Sequence, residues 1–188
     1  WLFQPAQPAA GILADRGVKV DSSVFKGGMR HEHGLDYSRA LRNGYYWKFA
    51  DAADVPDQMG SLTELPIYTR LVPFWRLLNS KRIGMEQKGS SGQTGRQRLY
   101  RLMDLLRFAH PLKLDFCRMT IDDLTGLMEE ELREDRKDSS VFRPIAAIGH
   151  TKELIDFETV ESFLLYLEKN GIKVSTFQKV YSKLAVHS

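Results

Sequence analysis

The chain has 188 residues, 43% of them hydrophobic and 27% charged, with a formal net charge of +3. That length suits one domain with a sizeable core, and no apolar run approaches the roughly 20 residues that cross a bilayer. Basic residues are spread through the chain with Asp and Glu among them, so the clustered positive charge of a nucleic-acid binder does not stand out. The single cysteine, Cys117, excludes an internal disulfide; this suits both the cytoplasm and a bacterial cell envelope.

Trp1-Leu2-Phe3-Gln4-Pro5 carries neither an initiator Met nor a basic, then apolar, leader, and reads as the start of a piece of a longer protein. Ala9 to Arg16, closed by Gly17, predicts a short helix, because glycine takes the left-handed turn at a helix end without steric cost. Val18 to Val24 predicts a strand with Asp21 near its end. Residues 26–60 hold scattered glycines and short β-like pieces such as Tyr45-Tyr46-Trp47-Lys48-Phe49, the composition of an elaborated loop or hairpin. Leu62 to Thr69 contains Pro66, which cannot donate a ladder hydrogen bond, and so predicts an edge or short strand. A short helix at Pro73 to Leu78 follows.

Residues 88–98 are Gly, Ser, Gln and Thr with basic residues, which predicts a flexible loop. Gly89 to Gly95 has the wrong spacing for a phosphate-cradling loop and ends in Arg96. From Arg98 the period turns regular: Leu99, Leu102, Met103 and Leu106 predict a helix, and Leu112 to Cys117 a strand. Thr120 and Asp123 predict a capping box before a helix burying Ile121, Leu124, Leu127, Met128 and Leu132. Ile145-Ala146-Ala147-Ile148 predicts a strand covered on both faces. Asp156 predicts the cap of a helix with Phe157, Val160, Phe163, Leu164 and Leu167 on one stripe, closed by Asn170-Gly171. A brief strand at Ile172 to Val174 and a last helix from Ser175 or Thr176 to about Leu184 complete the chain. This alternation predicts an α/β fold of parallel strands with ligands at their carboxyl ends.

Among the residues able to carry chemistry, His150 comes first. It follows the apolar run at 145–148, where a parallel strand ends, and a near-neutral imidazole there can give a proton to a leaving amine. A histidine capping the next helix through its backbone is the equal alternative. Asp21 reads either as a carboxylate orienting a basic partner or as part of an Asp-Ser-Ser turn. His31, Glu32 and His33, with Asp36 nearby, lie in a Gly-rich loop and read as exposed rather than as metal ligands. Tyr45, Tyr46 and Trp47 can stack on sugar rings or fill a core. Trp75 reads as core, Cys117 as a buried small hydrophobe, and Glu64 with Asp115 as a weak candidate glycosidase pair. Arg118 carries no assignment.

Several segments together are similar to the C-terminal half of the polysaccharide deacetylase superfamily, the family-four carbohydrate esterases and their relatives. Leu13-Ala14-Asp15-Arg16-Gly17-Val18-Lys19-Val20-Asp21-Ser22-Ser23-Val24 resembles the family's helix-to-strand segment. Gly60-Ser61-Leu62-Thr63-Glu64-Leu65-Pro66 resembles its Gly-apolar-Glu-apolar-Pro strand, Ile148-Gly149-His150-Thr151-Lys152-Glu153 its final histidine motif, and Phe163 to Thr176 its closing helix and strand. The resemblance implies a distorted (β/α) barrel present here as its C-terminal part, with zinc or another divalent metal in the full-length protein.

It also implies an N-acetyl-removing hydrolase acting on amino sugars of a surface polysaccharide or its precursor. His150 would be the acid, Asp21 would lie near the carboxylate region that tunes the site, and Tyr46 and Trp47 are the candidate substrate platform. The family's Asp-Asp and His-x-x-x-His metal motifs match nothing in this sequence, so no metal ligand is assigned and the chain alone is expected to be inactive. The alternative is a non-catalytic carbohydrate-binding or structural derivative. A carbohydrate partner, no nucleic acid and no membrane insertion are expected under either.

Overall fold

The computed structural model describes residues 7–30, 34–41, 43, 45–77 and 109–187. The chain start, His31 to His33, the 88–98 loop and the helix expected from Arg98 lie outside these residues. In chain order the elements are α1 (Gln7–Asp15), β1 (Val20–Asp21), β2 (Met29–Arg30), β3 (Leu35–Asp36), β4 (Trp47–Phe49), β5 (Leu62–Glu64), β6 (Thr69–Val72) and a 3-10 turn (Phe74–Leu77). They continue with β7 (His110–Lys113), α2 (Ile121–Lys137), a second 3-10 turn (Thr151–Glu153), α3 (Phe157–Lys169) and α4 (Phe177–His187).

α1 ends as its sequence predicts: Gly17 has φ +81°, and its amide reaches the Ala14 carbonyl at 2.9 Å. The chain then enters β1, which pairs in parallel with β5, Val20 opposite Thr63 and Asp21 opposite Glu64. β4 lies antiparallel on the other side of β5, with Trp47 opposite Glu64 and Phe49 opposite Leu62. β5 is therefore the middle strand rather than an edge. Pro66 does not prevent this because it falls two residues beyond the strand, where no ladder bond is asked of it.

Three single parallel bridges extend the arrangement: Phe25 with Ile67, Ile67 with Ala146, and Asp115 with Ile148. Tyr68 is the branch point, its amide donating to the Ala146 carbonyl and its carbonyl accepting from Leu114, both at 2.9 Å. Beyond it, β6 and β7 pair antiparallel from Thr69 opposite Lys113 to Val72 opposite His110. β2 and β3 form a small antiparallel hairpin. The described strands are thus mixed, with parallel pairing confined to β1–β5 and the three bridges.

Two apolar clusters flank these strands. One gathers Ala10, Val24, Leu35, Tyr37, Trp47, Phe49 and Leu62 beneath the three-stranded sheet. The other packs Tyr68, Leu112, Leu114 and Met119 against α2 and α3 through Leu124, Leu127, Met128, Phe163 and Leu167. Each such side chain contributes about 1.5–3 kcal/mol on full burial. Gly60 allows the first cluster to close, since a Cβ there would lie 2.2 Å from the Phe49 carbonyl carbon.

Several expectations change. Ile145 to Ile148 makes only two isolated bridges and is half-buried, with Ala147 exposed, so neither a continuous strand nor its two covered faces form. Ile172 to Val174 is not a strand; Val174 is 70% exposed, and without an adjoining strand its backbone gains nothing from extension. The strand expected at Leu112 to Cys117 shifts to 110–113, and residues 116–118 turn. Trp75, expected in the core, is 73% exposed at the 3-10 turn.

The helix caps follow the sequence closely. Thr120 Oγ1 accepts from the Asp123 amide and the Asp123 carboxylate reaches back to the Thr120 amide, while Asp156 accepts from the Thr159 amide at 2.9 Å. Thr120→Ala should lower stability by about 1 kcal/mol, and Gly60→Ala by more, because backbone rather than a flexible side chain stands in the way. Denaturant unfolding of both variants, with Thr120→Ser as the restoring control, checks the order.

Candidate functional site

His150 leaves the last parallel bridge by two residues and opens the second 3-10 turn. Its carbonyl accepts the Glu153 amide at 2.8 Å, but its side chain makes no capping hydrogen bond. The turn is thus capped through the backbone of His150. Gly149 is what lets the chain approach so closely: a Cβ there would sit 2.3 Å from the Phe116 ring and 2.9 Å from Cys117 Sγ. Cys117 is buried and its thiol faces the His150 carbonyl at 3.6 Å.

Around this corner the chain gathers Asp115, His150 and Glu153, whose ligand atoms lie within 4.8 Å of one another. Asp115 is nearly fully buried and accepts from the Cys117 amide at 3.1 Å. Arg118 projects from the turn after Asp115 and takes both Glu153 oxygens, with Nε to Oε2 at 2.6 Å. Its Nε also stands 3.8 Å from Asp115 Oδ2. Hydrogen bonding from Arg118, with its charge, holds the Glu153 carboxyl below its ordinary range, against a smaller opposing effect of desolvation.

The donor atoms of this triad suit a divalent metal, but the cationic position is filled. A guanidinium that spans Glu153 and reaches Asp115 supplies the positive charge a metal would bring. With Arg118 so placed the triad does not fit a metal, and the corner reads as an imidazole beside two carboxylates, one of them neutralised.

Asp21 is found elsewhere. Its carboxylate accepts from the Ser23 hydroxyl at 2.6 Å, so the Asp-Ser-Ser segment satisfies itself through a side chain rather than through backbone amides. Its neighbour across the strands is Glu64, and it makes no hydrogen bond or ion pair with His150. Register explains the separation: Glu64 precedes Ile67 by three positions, and His150 follows Ala146, the partner of Ile67, by four. Glu64 and Asp115, weighed as a glycosidase pair, likewise engage different partners.

The aromatic platform changes too. Trp47 is 5% exposed, and its indole N–H donates to the Ala53 carbonyl at 2.8 Å, which makes it a core residue without a free ring face. Tyr46 is half-buried and Tyr45 exposed. Asp36 is exposed, and its carboxylate accepts from the Ser38 amide. Glu153 and Arg118 were not singled out from sequence; the signal available was their place just after the apolar stretches that end at Ile148 and Cys117.

No helix among the described residues is long and apolar enough to cross a membrane. The chain matches no protein-family model, no curated protein and no solved structure.

The Arg118–Glu153 pair gives a pH-dependent prediction. Because the folded pKa of Glu153 is depressed, its contribution is present above the unfolded value and lost as pH falls through the folded one. Arg118→Gln should cost about 1 kcal/mol at neutral pH, a modest figure because the guanidinium is over one-third exposed and screened. The loss should vanish in acid, as read from denaturant midpoints at the two pH values.

Proposed function

We propose that this chain supplies the His150 end of a hydrolase that removes N-acetyl groups from amino sugars of a surface polysaccharide or its precursor, on a distorted (β/α) barrel of the polysaccharide deacetylase type. The observation that carries the reading is the place of His150, two residues past a parallel bridge and beside the Asp115 and Glu153 carboxylates. Amide hydrolysis needs a proton on the departing nitrogen, since an amine anion is too poor a leaving group to go without one. An imidazole held on a turn next to carboxylates can carry that proton as imidazolium and release it as the carbon–nitrogen bond breaks. Asp115, itself held by the Cys117 amide, is the group best placed to steady the charged ring.

The substrate class comes from the resemblance of residues 13–24, 60–66, 148–153 and 163–176 to the deacetylase superfamily. The metal that this resemblance implies belongs to motifs with no counterpart in residues 1–188, and no step is assigned to it here. The reading assigns His150 the role of general acid and leaves Trp47 outside the substrate surface.

A second reading has its own support. The two-point hold of Arg118 on Glu153 makes the His150 corner an ion-paired joint, as expected of a carbohydrate-binding or structural derivative that has no reaction to perform. Acetate release from an N-acetylated amino-sugar oligosaccharide, measured on the intact protein with added divalent metal, separates the two. On the hydrolase reading His150→Ala lowers kcat about 10²–10⁴-fold while the protein stays folded. Turnover that survives the change removes His150 from the chemistry; oligosaccharide binding without any acetate release selects the second reading.

A further inference from the structure

Glu64 is the most deeply buried acid of the three-stranded sheet. It sits in the middle strand, shares a face with Trp47 on one side and Asp21 on the other, and has no exposed surface. One oxygen, Oε1, accepts the Val24 amide at 3.1 Å. The other, Oε2, has no donor at all. Among the described residues no lysine or arginine pairs with either Glu64 or Asp21.

The titratable group facing Glu64 is Asp21 on β1. From the turn after β1 come the Ser23 and Val24 amides, and from β4 comes the Trp47 indole, whose N–H is already committed to Ala53. An ionised Glu64 would therefore place two negative carboxylates in adjacent parallel register positions, one fully buried and lacking a counterion, which is a costly arrangement. A proton resolves both problems at once. It removes the second charge, and it converts Oε2 from an orphan acceptor into a donor with Asp21 as its partner.

We infer that Asp21 and Glu64 form a carboxyl pair in which Glu64 keeps its proton at neutral pH and donates it to Asp21, making Glu64 a positioning residue for the Asp21 carboxylate. Burial, followed by the hydrogen bond and charge of Asp21, pushes the Glu64 carboxyl well above its ordinary range, and the Val24 and Ser23 amides oppose this less strongly. Asp21 is then held from two sides, by the Ser23 hydroxyl at 2.6 Å and by the acid of Glu64. The site is a proton-holding one whose ligand is the proton itself, and it does not depend on the hydrolase reading.

Infrared spectra of the intact protein at neutral pH test this directly. The wild type should show the carbonyl band of a protonated carboxyl, and Glu64→Gln, which keeps the shape, the acceptor for Val24 and a donor for Asp21, should lack it. Asp21→Asn should retain the band at lower pH and lose it at a lower pH than the wild type does. Stability gives a second measure: a raised folded pKa contributes fully below the unfolded pKa and is lost as pH rises through the folded value. The wild type should accordingly lose stability, relative to Glu64→Gln, as pH rises from the unfolded carboxyl range through the folded value. The inference is overturned by a wild type without the band, by a Glu64→Gln protein that keeps it, or by an Asp21→Asn protein that titrates unchanged. None of these readouts uses acetate release, so their failure and that of the hydrolase reading are separate.

Discussion

Every residue from Leu62 to Thr69 is buried, and the run is hydrogen-bonded on both sides along most of its length. Thr63, Leu65 and Ile67 donate to the Lys19, Asp21 and Val24 carbonyls at 2.8–2.9 Å, while β4 and then Ala146 occupy the opposite side. A slip of one residue would turn Leu62 and Glu64 to the other face and take the core contacts of the first cluster with them. The same run then hands the chain on through Tyr68 to Ala146 and Leu114, so the placing of His150 and Asp115 is inherited from a register set many residues earlier. Both sites therefore depend on one central segment, although they share no contact.

How much of this was legible in the sequence depends on how local the cause is. Thr120 with Asp123 and Asp156 with Thr159 could be read directly, because a capping side chain reaches an amide three residues away and needs nothing else. Gly17 and Gly171 were legible as helix ends for the same reason, and both adopt positive φ. The pairing of β6 with β7 was not legible: its strands are far apart in sequence, and nothing in Thr69–Val72 or His110–Lys113 names the other. Pro66 misled in a related way, because the rule against proline in a central strand holds for a residue inside the ladder and not for one just past it.

The sites divide similarly. The position of His150 after an apolar run was readable, but its neighbours Arg118 and Glu153 are brought together by a turn and a 3-10 segment with weak sequence signatures. Trp47 was open to stacking on a sugar, although aromatic residues in strands more often fill a core, and its burial with the indole N–H donating to the Ala53 carbonyl decides for the core. Glu64 was visible as a carboxylate within a strand. Its partner, however, was sought in Asp115 rather than in the strand beside it.

The chain thus meets the cost of buried carboxylates in two different ways. At Asp115 and Glu153 the compensation is a guanidinium, which is always charged, so the corner beside His150 keeps its ion pair over a wide range of pH and loses it only in acid. At Asp21 and Glu64 no lysine or arginine among the described residues pairs with either acid, and the compensation we infer is a proton, which rising pH removes. The two responses have opposite signs with pH. A guanidinium suits an open corner, where the Arg118 side chain is over one-third exposed, whereas a proton suits the packed centre of a sheet, where Glu64 has no exposed surface.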